Sequence, residues 1–205
     1  VSTLETFDGE LERDEDYTGV HLDGGEFDDV QAGNTRFDEC AFTGATFTGG
    51  DLGGARFADV RMSRTRWIGT SWQDAELLDV TIADSVLAGV QAHGGAWRRV
   101  VLRGCKLDSL NLRGTRLQDV EFRDCDLTEV DFGSTTLTGV TFPGSTISRA
   151  RFTRAAVKKL DFRKARSLDV AEGWDFLRGA VIDHDQLLES AQALAQTLGI
   201  QVRDR

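Results

Sequence analysis

Residues 41–57 read AFTGATFTGGDLGGARF, and within them Phe42, Phe47, Leu52 and Phe57 recur every fifth position. Working outward in both directions, the same step of five collects Tyr17, Leu22, Phe27, Ala32 and Phe37 on one side and Met62, Trp67, Trp72, Leu77 and Ile82 on the other. The column then continues through Leu87, Trp97, Leu117 and Phe142 to Phe162, thirty consecutive positions without an insertion. Only Ala32 and Ala92 in it are small. Two residues before each large residue lies a second column of small or β-branched side chains, among them Cys40, Ala45, Val60, Val80, Cys105, Thr115 and Val130. The other three columns are rich in Asp, Glu, Arg, Thr, Ser and Gly.

A period of five matches neither the 3.6 of a helix nor the 2 of a strand, so no straight element can bury that column. The chain must turn by a fixed angle every five residues. A turn of about 90° closes four pentapeptides into a square coil of 20 residues with the large side chains on its axis. Coils of this kind stack at the parallel-strand spacing of roughly 4.8 Å, and thirty repeats make seven to eight of them. Glycines at 19, 24, 44, 49, 54, 69, 89, 94, 104, 114, 139 and 144 share one column, where a permissive backbone eases the corner.

The segment at 41–57, together with CKLDSLNLRGTRLQDVEFRDCDL at 105–127, resembles the pentapeptide-repeat family, whose motif is a small residue, a polar one, Leu or Phe, and two variable residues. The resemblance covers about residues 17–166. It implies an all-β solenoid, a right-handed quadrilateral parallel β-helix of about seven to eight coils, here with a short C-terminal α-helix. The expected organisation is an acidic N-terminal cap over 1–16, the β-helix over 17–182, and a helix and tail over 183–205 for capping or dimerisation.

The chain has 205 residues, 34 acidic against 24 basic, for a net charge of -10. That field is of the wrong sign for direct nucleic-acid binding. The charge is polarised along the rod: residues 1–60 hold 15 acids and 3 bases, 61–120 hold 6 and 9, and 121–205 hold 13 and 12. With residues 20 apart stacking, Glu39, Asp59 and Asp79 form a vertical ladder of carboxylates, joined on the same side by Asp38 and Glu76. Stacked like charges are mildly destabilising, offset in part by Arg36 and Arg56 beside them. The ladder is either a solvated face that discourages aggregation or a surface that imitates the regularly spaced phosphates of DNA. A basic stretch, Arg149, Arg151, Arg154, Lys158, Lys159, Arg163, Lys164 and Arg166, opposes it in the last coils.

A stacked coil has open ends that need covers. Phe7 keeps the phase within the N-terminal cap. After Phe162 the pattern weakens through SLDVAEGWDF and returns with Leu177, Ala180 and Ile182. Asp183 or Asp185 then offers an N-cap, and Leu187, Leu188, Ala191, Leu194, Ala195 and Leu198 make one apolar helical stripe that ends at Gly199. The stripe can seal the last coil or pair with its own copy across a two-fold axis, followed by the short apolar tail Ile200 to Val202.

In length, acidity and helix position the chain is similar to the gyrase-protecting, quinolone-resistance members of the family. Its unbroken register is more like the mycobacterial fluoroquinolone-resistance protein than the loop-bearing Qnr proteins. The resemblance implies a DNA-mimicking homodimer, joined through the C-terminal helix, that binds DNA gyrase or a related type II topoisomerase and protects it from poisons. The alternative is a non-catalytic interaction scaffold with a different partner, since the fold says little about partners.

Little in the sequence points to an enzyme or a cofactor. His21, His93 and His184 are too scattered for a metal cluster, and the glycines carry no phosphate-loop lysine. No serine or cysteine has a recognisable catalytic partner. The odd number of cysteines, Cys40, Cys105 and Cys125, suggests neither a disulfide framework nor a zinc site. Cys105 and Cys125 fall one rung apart, but parallel side chains disfavour a bond between them. With no apolar run long enough to span a bilayer, the expected setting is the cytoplasm.

Overall fold

A computed structural model describes residues 4–203. It is a parallel β-solenoid of about eight turns with one C-terminal helix. The pairing register is the twenty-residue repeat: Tyr17 pairs with Phe37, Phe37 with Phe57, Phe57 with Leu77 and Leu77 with Trp97 along a first wall. The second wall runs through Leu22, Phe42, Met62, Ile82 and Leu102. The third runs through Phe27, Phe47, Trp67, Leu87, Leu107 and Leu127. On the fourth wall the contacts shrink to single bridges, from Gln31 with Asp51 up to Asp131 with Arg151.

The step-of-five column fills the axis. All of its members are buried except Tyr17, Phe27 and Val157, which are partly buried near the ends of the rod. Vertical stacking puts rings on rings: Phe47 and Trp67 lie 3.9 Å apart between centroids at an interplanar angle of 3°, and Phe132 and Phe152 lie 4.9 Å apart at 4°. The small-residue column lies beside this core, mostly of small or β-branched residues, with Leu110 and Leu160 the larger members, both fully buried. Cys40, Cys105 and Cys125 occupy that column as buried free thiols. Contact with Cys105 and burial together push the Cys125 thiol up.

The glycine column proves to be a conformational rule. Every fifth residue from Asp14 to Lys159 has a positive φ, whether glycine, as at Gly44 (67°), or not, as at Asp59 (51°) and Lys159 (58°). The left-handed backbone makes the corner, and glycine and Asp are the commonest residues there, glycine because it has no Cβ and Asp because its short polar side chain tolerates the conformation.

Both ends depart from the repeat. At the N-terminus, Glu5 and Thr6 pair with Val20 and His21, a separation of fifteen residues, so the first coil is one pentapeptide short. Buried Leu11 fills that coil, and the Tyr17 hydroxyl donates to the Glu10 carbonyl oxygen. Residues 1–3 of the expected cap lie outside the described residues. At the other end, the strand Ser167–Glu172 carries register shifts against Thr146–Arg151. A 3-10 turn, Trp174–Phe176, follows, and Val181 bridges Asp161 back in step. The helix His184–Thr197 begins at Asp183, which forms a reciprocal capping box with Gln186.

Candidate partner-binding surfaces

The five acidic residues singled out from sequence gather on one side of the rod. Asp38, Ala58, Leu78 and Arg98 stack in register on the first wall, which stacks the following residues, Glu39, Asp59, Asp79 and Arg99, at its corner. Glu39, Asp59 and Asp79 have φ of 52°, 51° and 55°, so the ladder sits on the left-handed corner and not on the flat of a strand.

This corner differs from the others. On the other corners Asp29, Asn34, Asp74, Asp84 and Asp124 each have a glycine one rung above, Gly49, Gly54, Gly94, Gly104 and Gly144, and on this corner Asp119, higher up the rod, has Gly139. The acid or amide oxygen reaches into the space that a Cβ on that glycine would take. Above Glu39, however, stands Asp59, and above Asp59 stands Asp79. The corner geometry is compatible with these carboxylates but does not require three of them in a stack.

Two of the five acids are neutralised within the molecule. Arg99, one rung above Asp79, donates through Nε and Nη2 to both of its carboxylate oxygens. This pairing holds the Asp79 carboxyl below its ordinary value and raises the Arg99 guanidinium. Glu76 pairs with Arg56 at 3.3 Å. Among the described residues, Asp38, Glu39 and Asp59 have no ion-pair partner. The role of Arg99 was open to a sequence reading through its spacing of twenty from Asp79.

The basic stretch of residues 149–166 is a collar around the rod and not a patch. Lys158 stacks on Thr138 of the first wall, Asp161 on Thr141 of the second, and Arg151 on Asp131 of the fourth. Three of its members are consumed locally, Arg149 by Glu129 at 3.0 Å, Arg163 by Asp161 at 2.7 Å and Arg166 by Asp124 at 3.5 Å.

The helix turns much of its apolar stripe outward. Leu188 is 62% exposed and Leu198 74%; Leu187 and Ala191 are also exposed, and only Leu194 and Ala195 are half-buried. The residues buried against the rod are Gln186 and Ser190. The Gln186 side chain is fixed twice: Nε2 donates to the Phe162 carbonyl oxygen at 2.7 Å, and Oε1 accepts from the Asp183 backbone N–H. Ile200 and Val202 beyond the helix are exposed as well.

Among the described residues no group of three or more His, Cys, Asp or Glu is placed to hold a metal ion. Among the described residues no helix is long and apolar enough to cross a membrane.

Comparison with known proteins agrees with this geometry. Residues 26–64 match the description "pentapeptide repeats (8 copies)", and residues 96–152 match "pentapeptide repeat region". No curated protein matches the chain. Among solved structures, QnrB1, described as a plasmid-mediated fluoroquinolone resistance protein, is 17% identical over 97% of this chain and 96% of its own, with a TM-score of 0.41. The pentapeptide repeat protein Rfr23 from the cyanobacterium Cyanothece 51142 is 14% identical over 64% of this chain and 90% of its own, with a TM-score of 0.50. HetL from the cyanobacterium Nostoc sp. strain PCC 7120, described as involved in heterocyst differentiation regulation, is 13% identical over 84% of this chain and 92% of its own, with a TM-score of 0.23. At 14% identity the likeness to Rfr23 concerns the fold alone.

Proposed function

We propose that this chain is a member of the pentapeptide-repeat family and a non-catalytic DNA mimic that occupies the DNA-binding surface of a type II topoisomerase such as DNA gyrase and protects it from poisons of the quinolone kind. The observation that carries the reading is the Glu39, Asp59 and Asp79 column, where carboxylates stack although the corner does not call for them. One charge per rung of roughly 4.8 Å approaches the 3.4 Å rise per phosphate of a DNA strand. Asp38 and Glu76 widen the acidic side, and the acid-rich first coils extend it towards the N-terminal end. Pairing of two copies through Leu187, Leu188, Ala191, Leu194, Ala195 and Leu198 would lengthen the mimic, with an acidic arm at either end. The exposure of Leu188 and Leu198 supports that pairing.

A second reading, an interaction scaffold for another partner, is favoured by the Arg56 and Arg99 side chains, which cancel Glu76 and Asp79 and break the acidic field. Titration into gyrase supercoiling and quinolone-induced DNA-cleavage assays separates the two. Wild-type protein is expected to reduce both at micromolar concentration, and E39K/D59K, shown folded by circular dichroism, to lose the effect. No effect of wild-type protein, or an equal effect of the variant, leaves only the scaffold.

A further inference from the structure

The edge between the second and third walls carries a group of cations that the linear sequence disperses over 46 residues. Arg61, Arg64 and Arg66 border one coil; Arg103 and Lys106 border the coil two rungs above. The register is direct: Ser63 pairs with Ala83 and Ala83 with Arg103, and Arg66 pairs with Val86 and Val86 with Lys106. Two rungs put the basic rows about 10 Å apart. Between them lies a shelf of short side chains, Thr81, Ala83 and Val86.

All five cations are exposed, and among the described residues none of them is ion-paired, whereas Arg123, Arg149, Arg163 and Arg166 are all paired nearer the C-terminal end. The one acid on the shelf, Asp84, directs an oxygen into the space over the Gly104 corner. Unpaired like charges gathered on one edge repel, so the fold gains nothing from collecting them. Four of the five are arginines, the side chain that grips carboxylate or phosphate with two parallel hydrogen bonds.

The surroundings decide between those anions. Along the same edge, Asp23 and Glu26 lie below the basic rows; above them stand Glu121, paired with Arg123, Asp124, paired with Arg166, and Asp126, which has no ion-pair partner among the described residues. A long phosphate backbone running up the rod would meet carboxylates at both ends of a window a few rungs tall, against an overall charge of -10. A short acidic peptide lying across the shelf meets five cations against one acid, Asp84, whose oxygen is turned over the Gly104 corner. We propose that this edge binds an acidic segment of a protein partner, extended over Thr81, Ala83 and Val86 with its carboxylates taken by Arg61, Arg64, Arg66, Arg103 and Lys106.

The acidic column borders the second wall at one corner and this edge borders it at the other. Resting on the DNA-mimic reading, the edge then acts in specificity: a partner must offer a basic surface with an acidic segment beside it, and a uniformly basic DNA-binding surface is repelled.

Fluorescence anisotropy with a labelled polyglutamate peptide, and separately with a labelled short DNA duplex, tests the edge without any topoisomerase. The peptide is expected to bind wild-type protein in a salt-sensitive way and R64E/R66E/R103E about tenfold or more weakly. Binding should be unchanged in K158E/K159E, on another wall, and retained in E39K/D59K, so that the outcome is independent of the mimic reading. Should the charge reversals unfold the rod, R64Q/R66Q/R103Q replaces them with the same expectation of weakened binding. Absence of peptide binding, equal loss in K158E/K159E, or tighter binding of the duplex than of the peptide overturns the proposal.

Discussion

At the scale of single residues, the corner position dominates. A left-handed backbone at every fifth residue costs a non-glycine side chain of order 1 kcal/mol, which is why glycine and Asp are so frequent there. The cost of replacing a glycine should depend on what lies one rung below. At Gly94 an added Cβ would meet the Asp74 carboxylate, whereas at Gly19 nothing lies within 4 Å. Gly94→Ala is therefore expected to lower stability by about 1–2 kcal/mol more than Gly19→Ala in thermal or urea unfolding. Asp79 makes a second test. Its carboxyl is depressed by Arg99, so the contribution of the pair is present above the unfolded carboxylate value and is lost as pH falls through the lower folded value. A carboxyl-resolved NMR titration should place Asp79 below the ordinary aspartate value, and Arg99→Gln should return it upward. The spacing of twenty makes the Glu39, Asp59 and Asp79 ladder legible in the amino-acid order. Its place on the left-handed corner is not legible there, because eighteen non-glycine residues hide the conformational rule that the glycines share.

The elements obey the repeat in the middle of the rod and lose it at the ends. Five-residue periodicity specifies where each large residue points, and pairing then follows from stacking identical coils, so the walls were readable from side-chain type alone. The ends were not, since a cap answers to the particular groups left open by the terminal coil. Asp183 was a foreseeable N-cap, but the docking role of Gln186 depends on the Phe162 carbonyl, 24 residues away in sequence. Gln186→Leu keeps the volume and removes both hydrogen bonds, leaving that carbonyl unpaired under the helix. It is expected to destabilise the helix by about 1–3 kcal/mol, seen as earlier loss of the helical dichroism signal and faster amide exchange over residues 184–197 than in the coils.

For the whole molecule, charge and apolar surface are sorted along the rod: acids gather in the first coils, cations in the middle and last coils, and an uncovered leucine face at the C-terminal end. If that face joins two copies, sedimentation should give a dimer that L188E/L198E converts to a folded monomer; a wild-type monomer would make the helix a cap only. The sequence by itself determined the solenoid, its coil length, the axis residues and the position of the helix, because a period of five has one way to bury a continuous apolar column. Tertiary structure alone decided which charges remain free. Ion pairing depends on which groups reach one another once the coils are stacked: Glu129, Asp161 and Asp124 take Arg149, Arg163 and Arg166 of the collar, and Arg61, Arg64, Arg66, Arg103 and Lys106 meet on one edge with no ion-pair partner among the described residues.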